Sequence, residues 1–94
     1  MSVLEELKKE VASDLTLKKQ YEVQTEIYNI TKSLKEIRKE KKLTQKDIAQ
    51  KSGLTQQMVS KIESYNGNPS IESFVKYCNG VGINLLELLL KYHD

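Results

Sequence analysis

The run from Gln45 to Glu63 constrains the fold of this chain more than any other stretch. Thr44 is placed to N-cap a helix over residues 45–52, with Ile48 and Ala49 as its inward side chains. Gly53 follows directly, where the chain must adopt a positive φ that costs glycine least. Leu54 can then plug the turn, and Thr55 caps a second helix over 56–64 with Val59 and Ile62 facing inward. Ala49 is small, as a close crossing of the two helices requires. The spacing predicts two short helices joined by a tight turn, the second with few hydrophobic residues on its outer face.

The rest of the chain is also helical in period, with nothing strand-like and few Pro or Gly. Leu4, Leu7 and Val11 predict a helix over 3–12, and Ser13-Asp14 can cap another over 15–22 carrying Leu17 and Tyr21. The stripe Ile27, Ile30, Leu34, Ile37 predicts a long amphipathic helix from Val23 to about Lys41, its other faces Lys, Glu and Arg. After the turn Asn66-Gly67-Asn68-Pro69, Ser70 caps a helix with Ile71, Phe74, Val75 and Cys78 inward, ending near Gly80 and Gly82. Asn84 and Glu87 form a capping pair for a last helix, which holds Leu85, Leu86, Leu88, Leu89, Leu90 and Tyr92. Leucines this dense cover more than one helix face. They are either sunk into the core or partly exposed as a partner surface, and a domain this small has trouble surrounding a helix on all sides. That favours a dimer contact through Leu86, Leu89 and Leu90.

Ninety-four residues make one small domain with an arm, so residues 1–30 are read as a helical extension and 31–94 as the domain. Residues 31–62 hold nine bases against three acids, whereas 1–30 hold four against six and 63–94 two against four. A basic centre between acidic ends suits a polyanion bound by the middle of the chain. No apolar run approaches the roughly 18 residues of a membrane span, so no membrane association is expected. The start of the chain lacks the basic and apolar regions of a signal peptide. The one cysteine, Cys78, reads as a small buried hydrophobe and fits a reducing cytoplasm. An enzyme is disfavoured. The only histidine is His93, near the C-terminus, and neither a phosphate-binding Gly loop nor a metal-ligand cluster is present, so no cofactor, metal or catalytic residue is expected.

Two short helices joined by a tight turn, inside the basic segment, are the layout of a helix-turn-helix whose second helix enters the DNA major groove. Gln45 would lie at the positive end of its helix, where backbone N–H groups and a side-chain amide can hold a phosphate, with Lys46 beside it. Thr55, Gln56 and Gln57 open the second helix. A glutamine amide can give one hydrogen bond to adenine N7 and take one from N6.

Leu43-Thr44-Gln45, Ile48-Ala49, Gly53, Val59-Ser60-Lys61-Ile62-Glu63 and Pro69-Ser70, within a match over roughly 31–90, resemble the Xre/Cro family of helix-turn-helix regulators. The resemblance implies an all-α, five-helix lambda-repressor-like domain that binds double-stranded DNA as a homodimer on a palindromic operator. It also implies that Gln56, Gln57, Ser60 and Lys61 contact bases or nearby phosphates. In one place the chain departs from the family. Tyr65 stands where the family usually has glycine, Gly67 is displaced by two, and Asn66 and Asn68 replace bases that grip the backbone. Phosphate contacts there would be neutral and weaker, leaving Lys46, Lys51 and the lysines of the long helix to supply the salt-dependent affinity.

The acidic extension, with Asp14 through Tyr21-Glu22 leading into the long helix, is similar to antitoxins of the HigA type. That similarity implies a ribonuclease toxin as protein partner and repression of the chain's own operon. The extension suits a basic toxin electrostatically and equally suits a dimerisation arm.

Overall fold

The computed structural model describes residues 3–91, with the side chains of all of these except 10–13 and 91. The expectations for Tyr92, His93 and the Val11 side chain lie outside the described residues. Five helices follow in order: α1 (Val3–Glu40), α2 (Gln45–Ser52), α3 (Gln56–Ile62), α4 (Ile71–Val81) and α5 (Leu85–Lys91). Among the described residues there is no strand, and no helix is long and apolar enough to cross a membrane.

The first 40 residues depart from the sequence expectation. Two short helices and a long one were expected; α1 is a single helix of 38 residues, continuous through Ser13 and Asp14. No Gly or Pro interrupts Val3–Glu40, and a Ser or Asp inside a helix costs only about half a kcal/mol relative to Ala. Breaking and re-nucleating the helix would cost more. Glu5 and Glu6 in the first turn and Arg38 and Lys39 in the last suit the helix dipole. At 1.5 Å per residue α1 spans about 57 Å, matching the longest dimension of the molecule, 58 Å.

Only the C-terminal half of α1 joins the core. Leu34 is buried with Ile48, Leu54, Val59, Ile62, Tyr77, Cys78 and Val81, and Ile37, Leu43, Ala49, Phe74 and Ile83 pack against them. Helix α4 supplies the floor on which α2 sits. Its inward face differs from expectation at both ends: Ile71, at the first position of α4, is 82% exposed, whereas Tyr77 is fully buried. A residue in the first turn overhangs the edge of the small core, and Tyr77 lies where its hydroxyl finds a buried acceptor.

The caps agree with expectation. Asp47 N–H donates to Thr44 Oγ1 (3.1 Å) and Thr44 N–H to Asp47 Oδ2 (2.8 Å), completing a capping box. Ser70 Oγ accepts from Ser73 N–H and Asn84 Oδ1 from Glu87 N–H. Gly53 takes φ 78° and leaves room for Leu54 to enter the core.

Candidate nucleic-acid interface

Thr55 stops the chain in an extended conformation, and its Oγ1 accepts from Met58 N–H at 3.1 Å. Helix α3 then buries Val59 and Ile62. Gln56, Gln57, Ser60 and Lys61 are all exposed, and their i, i+1, i+4, i+5 spacing puts them on one face opposite the buried pair. Lys46 is exposed in the first turn of α2 and Lys51 in its last. These polar side chains are carried on helices whose inner faces are locked into the core.

Gln45 is half-buried rather than free at the surface. Its Nε2 donates to Glu63 Oε1 at 3.0 Å, so one amide proton is held by the protein itself. Glu63 also accepts from Arg38 Nε (2.7 Å) and Nη2 (3.0 Å) and from the Tyr77 hydroxyl. The remaining arm of Arg38, Nη1, donates to the Leu43 carbonyl at 2.7 Å. The bidentate pair is almost wholly out of solvent, with Arg38 6% and Glu63 5% exposed. One carboxylate thus ties together α1, the start of α2, the end of α3 and α4.

Burial pushes the Glu63 carboxyl up, but the hydrogen bonds from Arg38, Tyr77 and Gln45 outweigh it and hold the group below the usual carboxylate range. Burial and the bond to Glu63 push the Tyr77 hydroxyl well up. The stabilisation from Glu63 is therefore fully present above the unfolded value of about 4.3 and is lost as pH falls through the lower folded value. Urea midpoints should fall between pH 6 and pH 3 more steeply in the wild type than in Glu63→Gln. Equal slopes would show that the carboxylate is not the acid-sensitive group. The Cys78 thiol is pushed up to about 11 by burial, as expected of a packing residue.

Sequence reasoning missed this network, placing Arg38 on the polar face of the long helix. A signal was present: Arg38 extends the spacing Ile27, Thr31, Leu34 by one further turn, and Thr31 and Leu34 are both buried.

The chain leaves α3 through a turn around Asn66 and Gly67. Gly67 is buried beneath the end of α3, where an added Cβ would stand 2.1 Å from the Lys61 carbonyl oxygen. It thus supplies the close approach that the displaced glycine of the sequence pattern requires. Asn66 and Asn68 are exposed, and Asn68 takes φ 40°. Lys32, Lys35 and Lys39 line a small cleft with Tyr28, Glu36 and Glu63 beside this end of α3. Lys41 is diverted, donating to the Val81 carbonyl at 2.7 Å.

On α5, Leu86, Leu89 and Leu90 are each more than 60% exposed. Leu85, Leu88 and Leu89 flank an apolar groove of about 710 Å³ against Ile30 and Ile37 of α1 and Phe74 of α4. Leu86 and Leu90 do not line it.

A family model described as helix-turn-helix matches residues 34–88, more than half of the chain. The match begins at Leu34, the first α1 residue of the buried core cluster, and ends within α5. No curated protein and no solved structure matches the chain.

Proposed function

The chain belongs to the Xre/Cro-like helix-turn-helix family of DNA-binding transcription regulators, and on that premise we propose that it is a dimeric repressor reading a palindromic operator. The observation that carries this reading is the exposed face Gln56, Gln57, Ser60, Lys61, set opposite the buried Val59 and Ile62. Gln56 and Gln57 are the proposed base readers, helped by Ser60 and Lys61, with Thr55 fixing the start of the helix. Gln45, Lys46, Asn66 and Asn68 serve the phosphate backbone. In the dimer the two recognition helices stand about 34 Å apart and enter successive major grooves.

Selecting duplexes from a randomised pool with the wild-type protein defines the preferred sequence. Against that sequence Gln57→Ala should weaken binding by about 1–3 kcal/mol while leaving binding to random DNA nearly unchanged. An unaltered ratio of selected to random affinity would remove Gln57 from the reading edge.

A specific observation favours a second role, that of an antitoxin which also covers a protein partner. Leu4, Leu7, Leu15, Leu17 and Tyr21 are exposed along the N-terminal half of α1. At 100° per residue, Leu4, Leu7 and Leu15 lie roughly 140° around the helix from Ile27 and Leu34, so that stripe does not continue the core-facing one. In this reading the extension is the surface that neutralises a basic ribonuclease encoded beside it. Co-purification with the product of an adjacent small gene supports it, and a solitary gene would sink it.

A further inference from the structure

Tyr65 stands where the family pattern has glycine, and the structure shows what the larger residue reaches. Its ring meets Tyr28 of α1 edge-on, with centroids 5.2 Å apart and planes at 64°. One turn earlier on α1, Gln24 Nε2 donates to the Tyr65 carbonyl. On its other side the turn is tucked under α3 through Gly67. Ser64 Oγ donates to the Lys61 carbonyl at 2.6 Å, and Gly67 N–H donates to the Ser64 carbonyl at 3.2 Å. The segment bearing Asn66 and Asn68 is therefore held between the recognition helix and the middle of α1. A cleft of about 810 Å³ runs along the same junction, with Leu17, Tyr21 and Gln24 on one wall and Tyr65 and Asn68 on the other.

We propose that Gln24 and Tyr28 are positioning residues for DNA binding, which from α1 fix the turn that leaves the recognition helix. The inference rests on the DNA-reading function above and deepens it. Asn66 and Asn68 carry no charge, so they gain little from long-range attraction and depend on hydrogen-bond geometry at the phosphate. A neutral contact of this kind works only if the turn is held still. Tyr65 supplies that hold in place of the missing basic residues.

The test uses the full chain and two 30-bp duplexes, one carrying the sequence selected by the wild type and one random. Tyr28→Ala and Gln24→Met should each bind both duplexes about tenfold more weakly, the loss of one or two ordinary hydrogen bonds. Their salt dependence should be unchanged, because no charged contact is lost. Tyr28→Phe, which keeps the ring contact, should bind as the wild type does. The decisive readout is the double variant: Asn66→Ala should weaken the wild type but cost nothing further in Tyr28→Ala, since the two act through one turn. A merely structural effect of Tyr28→Ala would leave the two losses multiplying. Multiplying losses, wild-type affinity in Tyr28→Ala, or wild-type affinity in Asn66→Ala would each overturn the positioning role. A wild-type protein that enriches no sequence would instead remove the DNA reading, and the positioning role with it.

Discussion

Replacing Glu63 with alanine should remove most of the protein's stability at room temperature. The carboxylate is the common acceptor for Arg38, Tyr77 and Gln45, and its removal strands a guanidinium and a hydroxyl that are both buried. Breaking a buried ion pair by deleting one partner costs about 3–5 kcal/mol. Whole domains hold only about 5–15 kcal/mol, and small ones lie toward the lower end. The measurement is a urea unfolding curve followed by helical circular dichroism, in which the midpoint should fall steeply at unchanged slope. A companion variant separates lost attraction from stranded polarity: Arg38→Met, Glu63→Leu and Tyr77→Phe together remove the two buried donors as well as the acceptor, and leave only the half-buried Gln45 amide, which solvent can reach. Because apolar groups of similar volume can replace a buried pair at little cost, the triple variant should recover most of the lost stability. A Glu63→Ala protein within about 1 kcal/mol of the wild type would mean that water reaches the pair and that the burial argument fails.

The contrast between this network and the caps shows what was legible in the sequence. Thr44, Thr55, Ser70 and Asn84 each accept from the backbone N–H three residues on, so a local reading of the chain finds them. The exposed face of α3 was legible for the same reason, since Val59 and Ile62 fix which side is buried. Arg38 and Glu63 lie 25 residues apart, and no local pattern states that they meet. Tyr77 was overlooked because its ring fits the core only when the hydroxyl has an acceptor, and that acceptor is Glu63, the C-cap of α3. Ile71 was over-read because helical periodicity gives a face but not where the face runs past the edge of its neighbours. The continuity of α1 turned on a competition between a local cap at Ser13-Asp14 and the cost of restarting a helix, and the cap was too weak to win. Where the exposed apolar surface lies was legible only as excess leucine. Which leucines remain open required the packing of α5 on α4.

That packing selects the variant that tests dimerisation. Leu89 lines the groove against α1, so altering it would disturb the fold as well as any contact between copies. Leu86 and Leu90 are 66% and 63% exposed and do not line that groove, which makes them the cleaner targets. If the proposed dimer forms through α5, the double variant Leu86→Asp, Leu90→Asp should stay folded and sediment as a monomer, and the wild type as a dimer. Two half-sites bound by linked readers gain about 10²–10⁴-fold over one, so affinity for the full palindrome should fall by about that factor. Affinity for an isolated half-site should hardly change, because α3 is untouched. The comparison also distinguishes α5 from the N-terminal extension as the source of the dimer. If the variant remains a dimer with full operator affinity, α5 is not the interface, and the exposed leucines of α1 are the next surface to alter.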